Sequence, residues 1–426
     1  MASEHSSSVS QSSNSSLNPS PVPHTHEQAS QDGLQRLSAE NAVSPPYPLI
    51  ANRPVRIALV GCGVISHDHV RAFADAGGNR ERSRLVAFCD THIESAHATY
   101  STYATALNAN VTAPVTAEAA PGAQAVYSTP NIPIETQPEA TTNETYAEIL
   151  ARPDVDAVDL CLPHDLHVSR VIQAAEAGKH ILCEKPLAMT IADCTRMIDA
   201  AQANDILLMH GENLRLAANI ERAAELVRQG AVGKVVGIQG TFAYWQRAHM
   251  NEGWRGKTRE AGGGMLIDGG IHLVDAMRHV GGDVLSVQAM TGVFRQDTGD
   301  GEDLAVINLR YAGGYLGQIF ACHSTQGRGS APLLTVYGTE GILNLDSYQS
   351  PSLLVFQPGK PAGENLQAES LPSSWQASFV REVTHFLDVL QHGIPLRARP
   401  EDGRANLALV LAAYESARTG REIALS

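Results

Sequence analysis

One stretch limits the folds open to this chain more than any other. The apolar run Val55-Arg56-Ile57-Ala58-Leu59-Val60 enters Gly61-Cys62-Gly63-Val64-Ile65-Ser66 without a break. A run this apolar suits a parallel strand buried on both faces. A helix-like segment follows, His67 to Ala76, with Gly77-Gly78 as its C-terminal stop. A second strand is predicted over Arg84 to Cys89 and ends at Asp90. Strand, glycine turn, helix, strand and acid, in that order, are the layout of a nucleotide-binding βαβ unit.

The residue types fit that chemistry. Gly61 permits the tight turn, and Gly63 lets the backbone approach a pyrophosphate. The free N–H groups of Val64, Ile65 and Ser66 open a helix whose positive end attracts an anion. Ser66 stands where a third glycine is usual; it is small enough for close helix–strand packing. Asp90 lies a little over twenty residues past the turn, where a carboxylate accepts from both ribose hydroxyls and repels a 2′-phosphate. NAD is therefore the expected cofactor, ahead of NADP.

The rest of this half repeats the alternation. A helix is predicted over Thr91 to Ala106, then a surface insertion at about 104–142 that alternatively hides a strand over Gln124 to Tyr127. Order resumes with a helix at Tyr146 to Leu150 and a strand at Ala157 to Leu162, which ends in Pro163-His164-Asp165-Leu166-His167. A helix from Val168 to Ala177 and a strand Ile181-Leu182-Cys183 lead to Glu184-Lys185-Pro186. Leu162, Pro163, His164, His167, Glu184 and Lys185 thus join the glycine turn and Asp90 at the carboxyl ends of parallel strands, where open α/β sheets bind ligands. Met189 to Ala203 reads as a helix and Ile206 to His210 as a strand, followed by Gly211-Glu212-Asn213, with Asn213 a further cofactor candidate.

Beyond a helix at Ala217 to Gln229 the pattern changes. Strand follows strand: Lys234 to Trp245, Leu285 to Phe294, Leu304 to Tyr311, Tyr315 to His323, Leu333 to Tyr337, Ile342 to Leu345 and Leu353 to Phe356. Turns such as Ala312-Gly313-Gly314 join them, as in a mainly antiparallel sheet. Helices at Gln376 to His392 and Pro400 to Thr419 follow. The exception is Gly262-Gly263-Gly264 to Met277, which reads as a helix from about Ile267. Asp268 and His272, four apart, would share one face of it and form an acid–base pair, half a metal site, or a buried structural pair. The two glycines between them cost a helix roughly 1 kcal/mol each, which suggests a close approach by a ligand or another backbone. No third metal ligand stands at readable spacing, so no metal is expected. Trp245, His249, Trp254 and Arg255 precede the glycines and are candidates to line a substrate pocket, Trp254 and Arg255 foremost, with surface-loop residues the equal reading.

Composition excludes several partners. The net charge is −14 with no Lys/Arg block, which argues against nucleic acid and anionic membrane surfaces, and no apolar run approaches a membrane span. The six cysteines form no CxxC and no framework spacing, as expected of buried thiols in a reducing compartment. Residues 1–53, rich in Ser, Asn, Gln and Pro, read as a disordered tail without a secretory signal. A cytoplasmic protein is expected, with domains at 54–188 (dinucleotide-binding) and 189–426 (substrate-binding).

Three motifs together resemble the glucose-fructose oxidoreductase / inositol dehydrogenase / MocA (Gfo/Idh/MocA) family: Gly61-Cys62-Gly63-Val64-Ile65-Ser66, Glu184-Lys185-Pro186, and the triple glycine with Asp268 and His272. The resemblance runs from about Val55 onward. It implies an α/β N-terminal Rossmann domain and a C-terminal α+β domain with a large open, mainly antiparallel sheet used for substrate and oligomer contacts, hence a dimer or tetramer. It also implies oxidoreductase activity on a secondary hydroxyl or ketone of a sugar, inositol or related polyol, with Lys185, Asp268 and His272 as catalytic residues. Where the family has Thr-Pro-Asn this chain has Leu162-Pro163-His164, with His167 kept. Two other readings stand beside it: NAD-assisted glycoside hydrolysis, which begins with the same oxidation, and a non-catalytic NAD-binding regulator on the same fold.

Overall fold

The computed structural model describes residues 45–425 apart from 77–80, 110–140, 143–144, 296, 298, 347–351 and 362. Most of the expected tail, most of the expected insertion and the alternative strand at Gln124 to Tyr127 lie outside the described residues.

Strand β1 (Val55–Val60) is buried except at Arg56, as a strand flanked on both sides and covered on both faces must be. Helix α1 (Ser66–Ala76) leads to β2 (Ser83–Cys89), and α2 (Ile93–Ala109) to the two-residue β3 (Thr141–Thr142). Next come α3 (Tyr146–Ala151), β4 (Ala157–Leu160), α4 (His167–Glu176), β5 (His180–Glu184), α5 (Ile191–Ala203) and β6 (Leu208–Gly211). The six strands form one parallel sheet in the order β3-β2-β1-β4-β5-β6. The order reverses between β1 and β4, which opens a crevice at their carboxyl ends. The sheet continues through β6, so the boundary expected at 188 falls before its last strand.

After α6 (Ala218–Arg228) and β7 (Val235–Ala243), helix α7 (Ile271–Gly281) crosses the second sheet. Gly240 permits this approach: a Cβ there would lie 2.7 Å from Leu273 and 2.8 Å from Met277 of α7. The remaining strands are β8 (Val284–Gly292), β9 (Leu304–Tyr311), β10 (Leu316–Cys322), β11 (Leu334–Gly338), β12 (Ile342–Leu345), β13 (Leu353–Phe356) and β14 (Leu366–Glu369). Helices α8 (Trp375–His392) and α9 (Pro400–Thr419) precede β15 (Ile423–Ala424). The nine-stranded sheet has the order β14-β13-β12-β11-β7-β10-β9-β8-β15 and is antiparallel except where β7 meets β10. On β9, Ala305, Ile307, Leu309 and Tyr311 alternate inward beneath the helices, while Val236, Leu285, Met290, Leu316 and Leu366 of this sheet are exposed.

Three features differ from the sequence expectation. Strands β3, β14 and β15 are absent from it; β3 and β15 have two residues each, too short to carry a period, and the four residues of β14 do not alternate in burial. Residues 45–53, read as part of the tail, pack on the body. Tyr47 is buried edge-on to His180, Ile50 N–H donates to Leu390 O at 2.9 Å, and Arg53 pairs with Asp156. Helix α8, within the domain expected at 189–426, covers the parallel sheet. It lies beside α1, and its Phe379, Val383, Phe386 and Leu390 share a core with Ile57, Leu59, Phe73, Phe88, Leu182 and Met209.

Candidate active site

The glycine turn adopts the conformation its sequence requires. Gly61 has φ +89°, and a Cβ on it would fall 2.3 Å from the Cys161 carbonyl oxygen, so only glycine fits. A Cβ on Gly63 would meet nothing within 4 Å, which leaves the turn's outer side open to a bulky anion. The Ser66 hydroxyl donates to Gly63 O at 2.6 Å and contacts the Thr99 hydroxyl at 3.2 Å, tying the head of α1 to α2. Val64 is exposed and Ile65 half-buried at the turn's rim. Asp90, just after β2, accepts from Cys62 N–H at 2.7 Å and from His92 N–H at 2.8 Å. Its carboxylate is thereby fixed beside the turn.

At the end of β4, His167 sits between the Pro186 and Leu162 carbonyl oxygens, 2.9 and 3.0 Å from its ring nitrogens. Burial pushes its pKa down. A neutral ring has one N–H, so one of these contacts is a hydrogen bond and the other a close approach. It fastens the turn after β4, with Leu162 and Pro163, to the turn after β5. His164 is buried with Nδ1 2.6 Å from Ala261 O, and its ring lies edge-on to Trp254 at 4.5 Å. Burial, with help from Lys185 and His167, lowers its pKa to about 3, so the ring is neutral near pH 7.

Lys185 and Asp268 meet. Lys185 Nζ donates to the Asp268 carbonyl at 2.7 Å and to its Oδ1 at 3.1 Å. Arg255 Nε lies 3.5 Å from Asp268 Oδ2, its guanidinium 4.3 Å over the Trp254 ring, and His164 Nε2 is 4.0 Å from Asp268 Oδ1. Burial alone would raise the Asp268 carboxyl; Lys185, Arg255 and His164 outweigh it and hold the group well below the usual carboxylate range. Lys185, Asp268, His164, Trp254 and Arg255 therefore form one cluster. Trp245 lies apart, under the Arg295 guanidinium at 3.8 Å; the His249 side chain is outside the described residues.

The expected pairing of Asp268 with His272 does not form. Residues Leu266–Gly270 make a π-helical turn ahead of α7, which changes the angle between positions four apart. The glycines in that turn answer to packing within the chain: a Cβ on Gly269 would press on Met265 and Tyr244, and one on Gly270 on Leu266 and Ala321. His272 Nδ1 instead lies 2.6 Å from Glu212 Oε1. Nothing local in the sequence marked Glu212; its one signal was its position directly after β6.

Two residues expected at the cofactor turn inward. Glu184 Oε1 is 3.0 Å from His69 Nε2, His69 Nδ1 is 2.9 Å from Asp159 Oδ2, and all three are buried. Glu184 Oε2 accepts from the Lys185 backbone N–H at 3.1 Å. Burial would raise the Glu184 carboxyl, but His69 and Lys185 bring it down to about 2. Burial would lower the His69 pKa, but Asp159 and its other neighbours raise it well above the ordinary histidine value. Asn213 Nδ2 donates to Ser378 Oγ on α8 at 2.7 Å. Among the described residues, His69, Asp159 and Cys161 bring potential metal-ligand atoms within 4.8 Å of one another. There His69 is hydrogen-bonded to both acids, and burial pushes the Cys161 thiol up.

Helix α8 supplies a wall that the sequence reading missed. Trp375, Ser378, Phe379 and Glu382 recur at helical spacing on one face. Trp375 lies edge-on to His272 at 5.5 Å and donates from Nε1 to Asp68 of α1 at 3.1 Å; Phe379 packs on His69 at 5.1 Å.

Residues 55–212 match the family described as an oxidoreductase family with an NAD-binding Rossmann fold, and residues 220–344 match the GFO/IDH/MocA C-terminal domain. A 1,5-anhydro-D-fructose reductase of Ensifer adhaerens is 30% identical over 281 residues, 64% of this chain and 81% of that protein. A D-apiose dehydrogenase of Paraburkholderia graminis is 28% identical over 384 residues, 86% of this chain and 89% of that protein. In fold, a levoglucosan dehydrogenase in complex with NADH and L-sorbose superposes with a TM-score of 0.74 at 22% identity, covering 88% of this chain and 99% of the other. The chain belongs to the Gfo/Idh/MocA family of NAD-binding oxidoreductases.

Proposed function

We propose that this member of the family transfers a hydride between NAD and a secondary hydroxyl or ketone of a sugar, inositol or related polyol. The observation that carries the reading is Lys185 Nζ, held against Asp268 at the carboxyl end of β5, with His272 on the same segment as Asp268. The dinucleotide fits the residues: the open side of Gly63 and the N–H groups of Val64, Ile65 and Ser66 take the pyrophosphate, and Asp90 takes the ribose hydroxyls. When bound, the nicotinamide accepts or supplies the hydride.

In the oxidative direction, His272 takes the hydroxyl proton as general base. Lys185 donates to the same oxygen and steadies the developing alkoxide. Asp268 accepts from a neighbouring hydroxyl, and Trp254 with Arg255 walls the pocket. Leu162, Pro163, His164 and His167 shape the nicotinamide side of the crevice.

The domain division at 54–188 and 189–426, with the parallel sheet extending to β6, belongs to this proposal. So does a homo-oligomer, dimer or tetramer, built on the exposed face of the nine-stranded sheet around Val236, Met290 and Leu316. A cytoplasmic location suits six free cysteines, five of them buried.

The test is a screen of the purified protein for formation or consumption of reduced cofactor. The panel is myo-inositol, levoglucosan and D-apiose with NAD, and 1,5-anhydro-D-fructose with NADH; relatives are named for each of these compounds. Turnover of at least one, lost by about 10²- to 10⁴-fold in Lys185→Ala, is expected. Undiminished turnover in that variant refutes the mechanism.

A further inference from the structure

Two acid–base pairs join the ends of β5 and β6 to the Asp268–His272 segment. The register pairs Glu184 with Gly211, so Lys185 and Glu212 are the next residues on neighbouring strands. Asp268 and His272 lie on the segment that faces them. Lys185 bonds Asp268, and Glu212 bonds His272. Pairing therefore runs between the strand ends and this segment instead of along the helix.

Glu212 has no exposed surface. Besides His272, its Oε1 accepts only a long 3.4 Å contact from Leu214 N–H, and among the described residues its Oε2 has no partner. A carboxyl group so far from water needs a close hydrogen-bond partner, and the His272 imidazole at 2.6 Å is the one it has. With Glu212 as the acceptor, the shared proton sits on Nδ1 and the lone pair on Nε2. Among the described residues Nε2 has no hydrogen-bond partner, which leaves it free for a substrate hydroxyl. Trp375 at 5.5 Å and Phe242 at 6.1 Å stand edge-on to the ring and limit its rotation.

We propose that Glu212 is the positioning residue for His272, fixing both the tautomer and the ring plane that present Nε2 to the substrate. The inference rests on the reading of His272 as the base. In the oxidative step the substrate O–H bond breaks and its proton goes to Nε2, while the C–H electron pair leaves with hydrogen for the nicotinamide. Glu212 keeps its negative charge opposite the imidazolium that forms, and no proton passes to it.

The experiment uses the full chain saturated with NAD, with its imidazoles labelled with ¹⁵N and the His272 signals assigned by their loss in His272→Ala. The wild type is expected to show the Nδ1-protonated form. Glu212→Gln offers Nδ1 either an oxygen or an NH₂ group, so the tautomer becomes mixed. On whichever panel compound turns over, kcat falls roughly 10²- to 10⁴-fold while KM stays near the wild-type value. Glu212→Asp, which keeps the charge at a shorter reach, recovers part of the loss and provides a second folded variant. A wild-type tautomer and wild-type kcat in Glu212→Gln, with His272→Ala inactive, overturns this inference alone. Retained turnover in His272→Ala overturns the base reading and the catalytic half of this inference with it, whatever the tautomer shows.

Discussion

Replacing Asp90 by serine should change which dinucleotide this protein prefers, and the size of the change follows from the turn. The Asp90 carboxylate is held by the Cys62 and His92 N–H groups and is 15% exposed. Two unit charges 4 Å apart interact by about 1 kcal/mol in water and about 4 kcal/mol at an effective dielectric of 20. A 2′-phosphate carries nearly two charges, and Asp90 keeps some contact with solvent, so repulsion of about 2–4 kcal/mol is expected. That corresponds to NADP binding roughly 30- to 1,000-fold more weakly than NAD. Asp90→Ser removes the repulsion and also a charged acceptor for a ribose hydroxyl, a bond worth about 1.5–3 kcal/mol. NAD affinity should therefore fall roughly 10- to 100-fold while NADP affinity rises, and the two constants converge to within about tenfold. Losing the acceptor for Cys62 N–H costs about 1 kcal/mol of stability, which a thermal melt separates from the binding effect. Calorimetric titration of both variants with both dinucleotides reads the ratio. A wild type that binds NADP as tightly as NAD, or a ratio unchanged in Asp90→Ser, would refute the reasoning.

Two predictions concern buried charge. Both oxygens of Glu382 are buried without a partner among the described residues, and burial, reinforced by Glu184, Asp159 and Glu212 against His69, raises its pKa well above the usual value. The folded chain holds this proton while the unfolded chain sheds it in the ordinary carboxyl range, so the penalty on folding grows as pH rises. Glu382→Met should stabilise the protein by about 1–3 kcal/mol near pH 8, with a smaller gain near pH 4; melting curves at the two pH values test this, and an equal or reversed gain contradicts it. His69→Leu should act in the opposite sense, because Asp159 and Glu184 would face each other with no cation between them. The raised His69 pKa means this stabilisation is complete below the ordinary histidine range and is lost only as pH rises through the higher folded value. Denaturant unfolding at pH 7 should show a loss of about 3–5 kcal/mol; a loss under about 1 kcal/mol would mean the pair is not charged.

The parallel-sheet half was legible because its signals are local. An apolar run, Gly61, a helix and Asp90 follow one another within forty residues, and Lys185 announces itself by ending a strand. The Asp268–His272 spacing was legible too, but its interpretation was not: the π-helical turn at Leu266–Gly270 breaks the four-residue geometry on which the pairing rested. Glu212 and the His69–Glu184–Asp159 chain join residues 60 to 115 positions apart, and no periodicity encodes such contacts. Helix α8 was recognisable as a helix, yet its apolar stripe fits either sheet equally well. Only the packing of Phe379 and Phe386 with Phe73 and Phe88 decides between them.

That placement of α8 bears on how the protein is made. The nucleotide-binding sheet is complete in sequence at Gly211, but one of its faces is only partly covered until the ribosome has produced His392. At ordinary elongation speeds that interval is roughly 10–35 s. During it, the side of Leu59, Phe88, Leu182 and Met209 that Phe379 and Phe386 will cover has only α1 and α2 over it. A fragment cut at the apparent end of the first domain lacks the α8 side chains that cover this face.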